Sequence, residues 1–319
     1  MSFTVGVVGI GRMGAAMAAN LVDDGFDVTV YNRTAEKTAD LRRRGAKVAG
    51  SVRAACEAAE VLITMLADDA ALEAVTGAPD GVLASLAAGR VHLAMGTHGT
   101  ATIRSLAALH TDSGLVLVAA PVLGRPEAAR RRELGIIAAG PEAAVDRCRP
   151  LFAALGQRCY VVGSAAESAA AAKLAHNFVL ACAIEATAEA LSLVRGYGVS
   201  PSLFHDVLVE GLFAAPAYRT YGRIMVDRAF DEVGVTARLG LKDLDLLLAA
   251  GELASTPLPS AAAVRDRLIG AIAHGDGERD WCVVAREQER ACGLGGRSTE
   301  HVMDTRTGAE PNLTPRRRA

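Results

Sequence analysis

A doubly wound α/β domain followed by an all-α domain is the fold this sequence predicts, on three observations. Up to Gly163, short β-branched runs alternate with helical stretches, as in parallel βαβ units. From Ala165 to Gly196 runs a long Ala/Leu/Glu-rich stretch without proline, and no convincing strand follows it. Between the first strand and the first helix lies Gly9-Ile10-Gly11-Arg12-Met13-Gly14, a glycine turn placed where a βα unit needs one.

The elements follow in order. Strands are expected at Thr4–Val8, Asp27–Tyr31, Val61–Met65, Val91–Ala94, Leu115–Ala119, Leu134–Ala138 and Cys159–Val162. Helices are expected between them at Met13–Asp24, Ala35–Arg44, Ala101–Thr111 and Glu142–Leu155. Beyond the long helix, Pro201–Val209, Ala217–Asp227, Leu239–Ala250 and Ser260–His274 read as helices separated by Gly/Pro/Ser signals. This divides the chain into a dinucleotide-binding domain over 1–164, a helical substrate and dimerisation domain over 165–292, and a tail over 293–319 whose polar, Arg-rich composition predicts disorder.

Composition narrows the function. The 319 residues suffice for two cores, and a formal charge of −2 offers no broad basic surface, which argues against nucleic acid as a partner. Apolar stretches are broken short of the ~18–20 residues a bilayer span needs, and the start lacks a basic leader, so a cytoplasmic protein with no membrane partner is expected. Six scattered cysteines form no CxxC pair, and Asp68, Asp69, Asp243 and Asp245 lack metal-ligand spacing with His or Cys; no metal is expected. Only four of the 34 Lys and Arg residues are lysines: Lys37, Lys47, Lys173 and Lys242. Arginine serves wherever any positive charge suffices, so the lysines invite a chemical reading, because only lysine readily shifts its pKa and exchanges a proton.

In the glycine turn, Gly9 permits the tight bend, Gly11 lets the backbone approach a pyrophosphate, and Gly14 lets helix and strand pack closely, with the helix N-terminus facing the anion. That is the fingerprint of a Rossmann domain. The second strand ends in Tyr31-Asn32-Arg33-Thr34, where an NAD-preferring site carries Asp or Glu for the ribose hydroxyl. Neutral Asn32 followed by Arg33, with Lys37 one turn on, predicts NADP: the guanidinium fork grips a 2′-phosphate. NADPH is the preferred cofactor on this reading, with NAD use still possible.

GIGRMGAAMAANL together with YNRT resembles the β-hydroxyacid dehydrogenase family, which includes 3-hydroxyisobutyrate dehydrogenase, glyoxylate/succinic semialdehyde reductases and 6-phosphogluconate dehydrogenase. The resemblance spans roughly residues 3–285. It implies that Met65, Leu66 and Ala67 lie beside the dinucleotide with Arg12 and Met13, and that Thr97 in AMGTHGT lies near nicotinamide and substrate. The substrate loop of the family, written Ser-Gly-Gly after Pro-Val, is Leu123-Gly124-Arg125 here; only its central glycine is kept. Arg125 either replaces the lost hydroxyl as a carboxylate grip or faces solvent. Lys173-Leu174-Ala175-His176-Asn177 is similar to the catalytic helix of the family, with Lys173 and Asn177 on one face, and Gly240-Leu241-Lys242-Asp243 to its second lysine motif, in which Lys242 lies near the cofactor. Val235 stands where the family often has an aromatic.

The resemblance implies hydride transfer between nicotinamide and a small hydroxyacid, aldehyde-acid or related carbonyl. Lys173 acts as proton donor and acceptor, Asn177 orients it or the substrate oxygen, and His176 is the reserve donor. It also implies a homodimer built on the long helix. An imine reductase on the same architecture and a non-catalytic NADP-binding module stay open; lysine at position 173, where imine reductases usually have Asp or Tyr, weighs against the first, and retention of Lys173 with Asn177 against the second.

Overall fold

The computed structural model describes residues 4–294; the tail expected from position 293 lies almost wholly outside them. Nine strands form one sheet: β1 (Thr4–Val8), β2 (Asp27–Tyr31), β3 (Lys47–Val48), β4 (Val61–Thr64), β5 (Val91–Ala94), β6 (Val116–Ala119), β7 (Val122–Leu123), β8 (Leu134–Ala139) and β9 (Gly156–Gly163). Their spatial order is β3-β2-β1-β4-β5-β6-β8-β7, with β9 on the free side of β8. From β3 to β6 every pairing is parallel; β8 runs antiparallel to β6 and β7 and parallel to β9. Strands β4 and β5 are buried at every position, which is why they read as continuous apolar runs rather than alternating ones.

Helices α1 (Arg12–Asp23), α2 (Ala39–Arg43), α3 (Val52–Glu57), α4 (Asp69–Gly77), α5 (Val82–Ser85), α6 (Thr100–Asp112), α7 (Pro126–Arg130) and α8 (Glu142–Leu155) accompany the sheet. The second half is helical: α9 (Glu167–Gly196), α10 (Pro201–Glu210), α11 (Pro216–Val226), α12 (Ala237–Leu253), α13 (Pro259–Ala273) and α14 (Val284–Ala291). Strand order reverses between β1 and β4, and the loops after these two strands diverge to open the crevice in which doubly wound folds bind ligands.

The 30 residues of α9, with an 18-residue window of mean hydropathy 1.5, would by length and composition alone cross a bilayer. Its apolar runs are broken by charge as expected, at Lys173 and Glu185. Its apolarity has a packing cause: Ala169 and Ala170 join the cluster of Ala94, Leu117 and Ile137 on the sheet, whereas Leu174, Ala181, Ile184 and Ala188 join the core of the helical half with Leu244, Leu268 and Trp281. One helix thus serves two cores, and Lys173 stands where the first gives way to the second.

Beneath the crevice three polar side chains form a buried relay. Thr64 Oγ1 meets His92 Nε2 at 2.9 Å, His92 Nδ1 meets His110 Nε2 at 2.9 Å, and His110 Nδ1 meets the Leu106 carbonyl at 2.7 Å. A carbonyl only accepts, so His110 donates from Nδ1, His92 donates from Nδ1 to His110, and Thr64 donates to His92. His110 can gain a proton only if His92 moves its own to Nε2, and an N–H at His92 Nε2 requires the Thr64 hydroxyl to turn and accept. Burial holds the pKa of His92 well below its ordinary value, with the charges of His110 and His98 adding to the effect, and burial lowers His110 too, against the Leu106 carbonyl. The unfolded chain therefore takes up protons below pH ~6.5 that the folded chain refuses, and stability falls as pH drops through that value, by at most ~1.4 kcal/mol per pH unit for each ring. Urea melts at pH 7.5, 6.5 and 5.5 should show the fall; a midpoint that stays flat over this range would count against the relay.

Candidate active site

The glycine turn is built as its residues require. Gly9 has φ +100°, and a side chain there would meet the Met65 carbonyl at 2.4 Å. A Cβ on Gly14 would lie 2.0 Å from the Gly9 carbonyl oxygen, so only glycine lets α1 start so close to β1. At Gly11 nothing lies within 4 Å of a Cβ position, leaving open space above the turn for a pyrophosphate. Asn32 fastens the turn to the end of β2: its Oδ1 accepts from the Ile10 amide at 2.9 Å, and its Nδ2 donates to the Thr34 carbonyl at 2.9 Å. Arg33, Thr34 and Lys37 are exposed beside it.

Between this turn and the helical half lies a cavity of about 370 Å³. Gly11, Arg12, Met13, Gly14, Met65, Leu66, Ala67, Thr97, Gly124, Arg125, Lys173, Asn177 and Lys242 line it, joined by Met95, Val122, Pro126, Gly234, Val235, Leu239 and Asp243. Most residues singled out in the sequence thus meet at one place. Gly9, Asn32, Arg33, Thr34 and Lys37 lie beside it, in the turn and at the end of β2, and two residues expected on the substrate side lie off its wall. Leu123 pairs with Gly135 in β7–β8 and packs with the cluster under α9, so its side chain leaves the cavity for the sheet. His176 is exposed on α9, where its ring meets Asn177 Oδ1 at 3.5 Å, and it does not line the cavity as a reserve donor would.

Lys173 is 9 % exposed and makes no hydrogen bond or ion pair among the described residues. Burial lowers its pKa from 10.5 to about 8; Asp243 opposes the shift and Lys242 adds to it. One turn on, Asn177 Nδ2 donates to Asp243 Oδ2 at 2.7 Å, which fixes the carboxamide beside the lysine. Lys242 crosses from α12 to the sheet half and donates to the carbonyls of Thr97 at 2.8 Å and Ala67 at 3.2 Å, while its charge lies 2.9 Å from Asp243 Oδ1. That last contact is Coulombic rather than an aligned hydrogen bond, since Asp243 Oδ1 has no donor.

Lys242 ties together two loops that Asp69 ties from below. Asp69 accepts from the Gly99 amide, from Thr102 Oγ1 at 2.8 Å and from the buried His98 ring at 3.1 Å. Burial pushes the Asp69 carboxyl up, but these three donors together outweigh it and hold it below its ordinary range. Asp69 and His98 are contacts that sequence reasoning missed, because nothing in their spacing marks them as partners.

Two arginines also cross the crevice. Arg12 donates to the carbonyls of Val233 at 2.5 Å and Gly234 at 3.1 Å. Arg125 donates to the Glu232 carbonyl at 3.2 Å, lies 3.5 Å from the fully buried Asp280 carboxylate, and sits over the Tyr221 ring at 5.7 Å. Neither alternative raised for Arg125, a free grip or a solvated side chain, describes it: the guanidinium spans the two halves of the chain. Gly234 makes room, since a Cβ there would lie 2.1 Å from its central carbon.

Comparison with known proteins agrees with this arrangement. Residues 4–163 match the profile of the NAD binding domain of 6-phosphogluconate dehydrogenase, and residues 168–287 that of the NAD-binding domain of NADP-dependent 3-hydroxyisobutyrate dehydrogenase. The chain is 39% identical to an uncharacterised oxidoreductase of Bacillus subtilis (strain 168) over 282 residues, covering 88% of this chain and 98% of the relative. It is 31% identical to glyoxylate/succinic semialdehyde reductase 1 of Arabidopsis thaliana over 280 residues, 88% of this chain and 96% of the relative. A solved structure of Mycobacterium tuberculosis 3-hydroxyisobutyrate dehydrogenase with L-serine superposes with TM-score 0.81 at 27% identity, covering 90% of this chain and 99% of that one. The chain therefore belongs to the β-hydroxyacid dehydrogenase family of pyridine-nucleotide-dependent oxidoreductases.

Proposed function

We propose that the protein is an NADP(H)-dependent reductase and dehydrogenase of a small carbonyl/hydroxy pair, with Lys173 as the proton donor and acceptor. The observation that carries the reading is Lys173 itself: a buried, unpartnered lysine on the cavity wall, its pKa lowered to about 8, with Asn177 one turn away. When bound, the nicotinamide dinucleotide supplies or accepts the hydride. In reduction the carbonyl carbon gains the hydride, oxygen gains negative charge, and the Lys173 ammonium stabilises that charge and then transfers its proton; oxidation runs the same steps backwards from the neutral amine. Asn177, braced by Asp243, orients the substrate oxygen, and Lys242 ties the Ala67 and Thr97 loops together where the cofactor would lie. Residues 1–164 hold the dinucleotide and 165–292 close the substrate side. A homodimer along α9 fits the exposed Val179 and Leu193 of that helix.

Support for NADP over NAD comes from the end of β2. The Asn32 carboxamide is used up within the backbone, no carboxylate stands there to bind a ribose hydroxyl, and Arg33 and Lys37 have no ion-pair partner among the described residues. A charged hydrogen bond to phosphate contributes ~1.5–3 kcal/mol, so Arg33→Ala should raise the KM for NADPH by roughly 10–100-fold and leave that for NADH within about twofold. An equal rise for both cofactors would place Arg33 elsewhere in the mechanism.

The activity is tested by NADPH and NADH consumption against glyoxylate, succinic semialdehyde, non-acidic aldehydes and cyclic imines, with Lys173→Ala in parallel. Carbonyl turnover lost in the variant is the expected result; turnover of imines alone would overturn the reading in favour of an imine reductase.

A further inference from the structure

The cavity contains four cations, and three are already engaged. Lys242 faces Asp243 and two carbonyls. Arg12 is held on the Val233 and Gly234 carbonyls at the mouth of the glycine turn, where the phosphates of a dinucleotide would claim its charge. Arg125, the only cation on the substrate loop, has its charge opposed by Asp280, a carboxylate with no exposed surface. Asp280 is itself locked: its Oδ2 accepts from the Gly234 amide at 2.9 Å and its Oδ1 from the Cys282 amide at 3.1 Å, so it cannot swing away to release the guanidinium. Arg125 Nη1 is buried and is turned to the Asp280 carboxylate at 3.5 Å. On the same loop, Leu123 offers no hydroxyl and turns into the sheet.

Only Lys173 is left with a free charge, and the reacting oxygen needs it. A carboxylate entering this cavity loses its hydration and finds no other unpaired cation, while Asp243 in the wall repels it. If it pairs with Lys173, it binds by the wrong end. Apart from the neutral side chains of Thr97 and Asn177, the remaining side-chain wall is apolar: Met65, Leu66, Met95, Val122, Val235 and Leu239 among others.

We propose that the Arg125–Asp280 pair sets this site for carbonyl substrates that carry no carboxylate, an inference that rests on the carbonyl reductase reading above. Arg125 shapes the far wall as a neutralised spacer between the two halves of the chain, and Asp280 is the residue that withholds it from acidic ligands.

Two unreactive probes of equal shape, isobutyramide and isobutyrate, test this by calorimetry on the full chain saturated with NADP+. Isobutyramide should bind at least ~10-fold more tightly in the parent protein. Asp280→Asn, which frees the guanidinium, should shift the ratio at least ~10-fold towards isobutyrate, and adding Arg125→Met should abolish that shift. Because Asp280→Asn touches a buried group and could impair folding, Arg125→Met alone is the second arm: it should not weaken isobutyrate. A preference for isobutyrate in the parent protein, equal binding of the two probes, or a tenfold loss of isobutyrate affinity in Arg125→Met would overturn the inference. Failure of the carbonyl reductase reading is separately visible, as absence of turnover across the carbonyl panel whatever the probe ratio.

Discussion

Lys173→Ala should lower kcat for carbonyl reduction on the order of 10²–10⁴-fold, while NADPH still binds within a few-fold of the parent affinity. The split follows from geometry. The groups expected to hold the dinucleotide lie on the glycine turn and on the loops after β2, β4 and β5, whereas Lys173 projects from α9 on the far wall of the cavity. Removing it deletes both the cation that meets the developing oxyanion and the proton that quenches it. The pH profile is the sharper readout. With the pKa lowered to about 8, reduction needs the ammonium and should decline as pH rises through about 8; oxidation needs the neutral amine and should gain through the same value. Asp243 works against the shift, so Asp243→Asn should move the profile to lower pH, an effect that a purely structural aspartate would not produce. Stopped-flow NADPH oxidation in both directions separates these outcomes, and a Lys173→Ala enzyme with near-parent kcat would remove the lysine from the chemistry.

The sequence revealed what local spacing encodes. The glycine turn, the strand that feeds it and the Lys173/Asn177 pair on one helical face are written within five or six residues each, and the structure brings them to one cavity. Expected and observed bounds agree for β1, β2, β5 and α8, and the fold class was read from the change of period at Gly163. The omissions were short elements. Strands β3 and β7 have two residues each and no periodicity to detect, and α3, α4, α5, α7 and α14 run for one to three turns within what reads as loop. What no window could show were contacts between distant positions: Asn177 with Asp243 across 66 residues, Lys242 with the Thr97 carbonyl across 145, and Arg125 with Asp280. Leu123 was misplaced for a related reason. The resemblance located its position in the loop correctly, but β7 pairing turned the side chain into the sheet.

Asp276→Ala should destabilise the helical half by about 3 kcal/mol, the low end of the range for removing one partner of a buried ion pair because the arginines around it keep some solvent. The carboxylate is 6 % exposed and receives three guanidinium groups: Arg279 at 2.9 Å, Arg286 at 3.2 Å and Arg290 at 3.0 Å. Two of them lie on α14, so one acidic side chain after α13 fastens the last described helix to the body. Truncation leaves Arg279 with Asp231 and Arg290 with Glu287, but Arg286, stacked on the Phe230 ring at 4.9 Å, loses its carboxylate and cannot turn freely to water. Against a total stability of ~5–15 kcal/mol, such a loss should lower the urea midpoint markedly. Asp245→Ala supplies the contrast, since its pair with Arg265 is exposed on both sides and should cost less than ~1 kcal/mol. The damage should also travel to the site. The segment after Asp276 carries Asp280 and Trp281, whose backbone amides donate to the Phe230 and Val235 carbonyls and so fix the loop that presents Val235 to the cavity. Hydrogen exchange should therefore show lost protection over 280–291 and over 230–237 together; loss confined to α14 would mean that the arginine cluster fastens the helix without supporting the cavity wall.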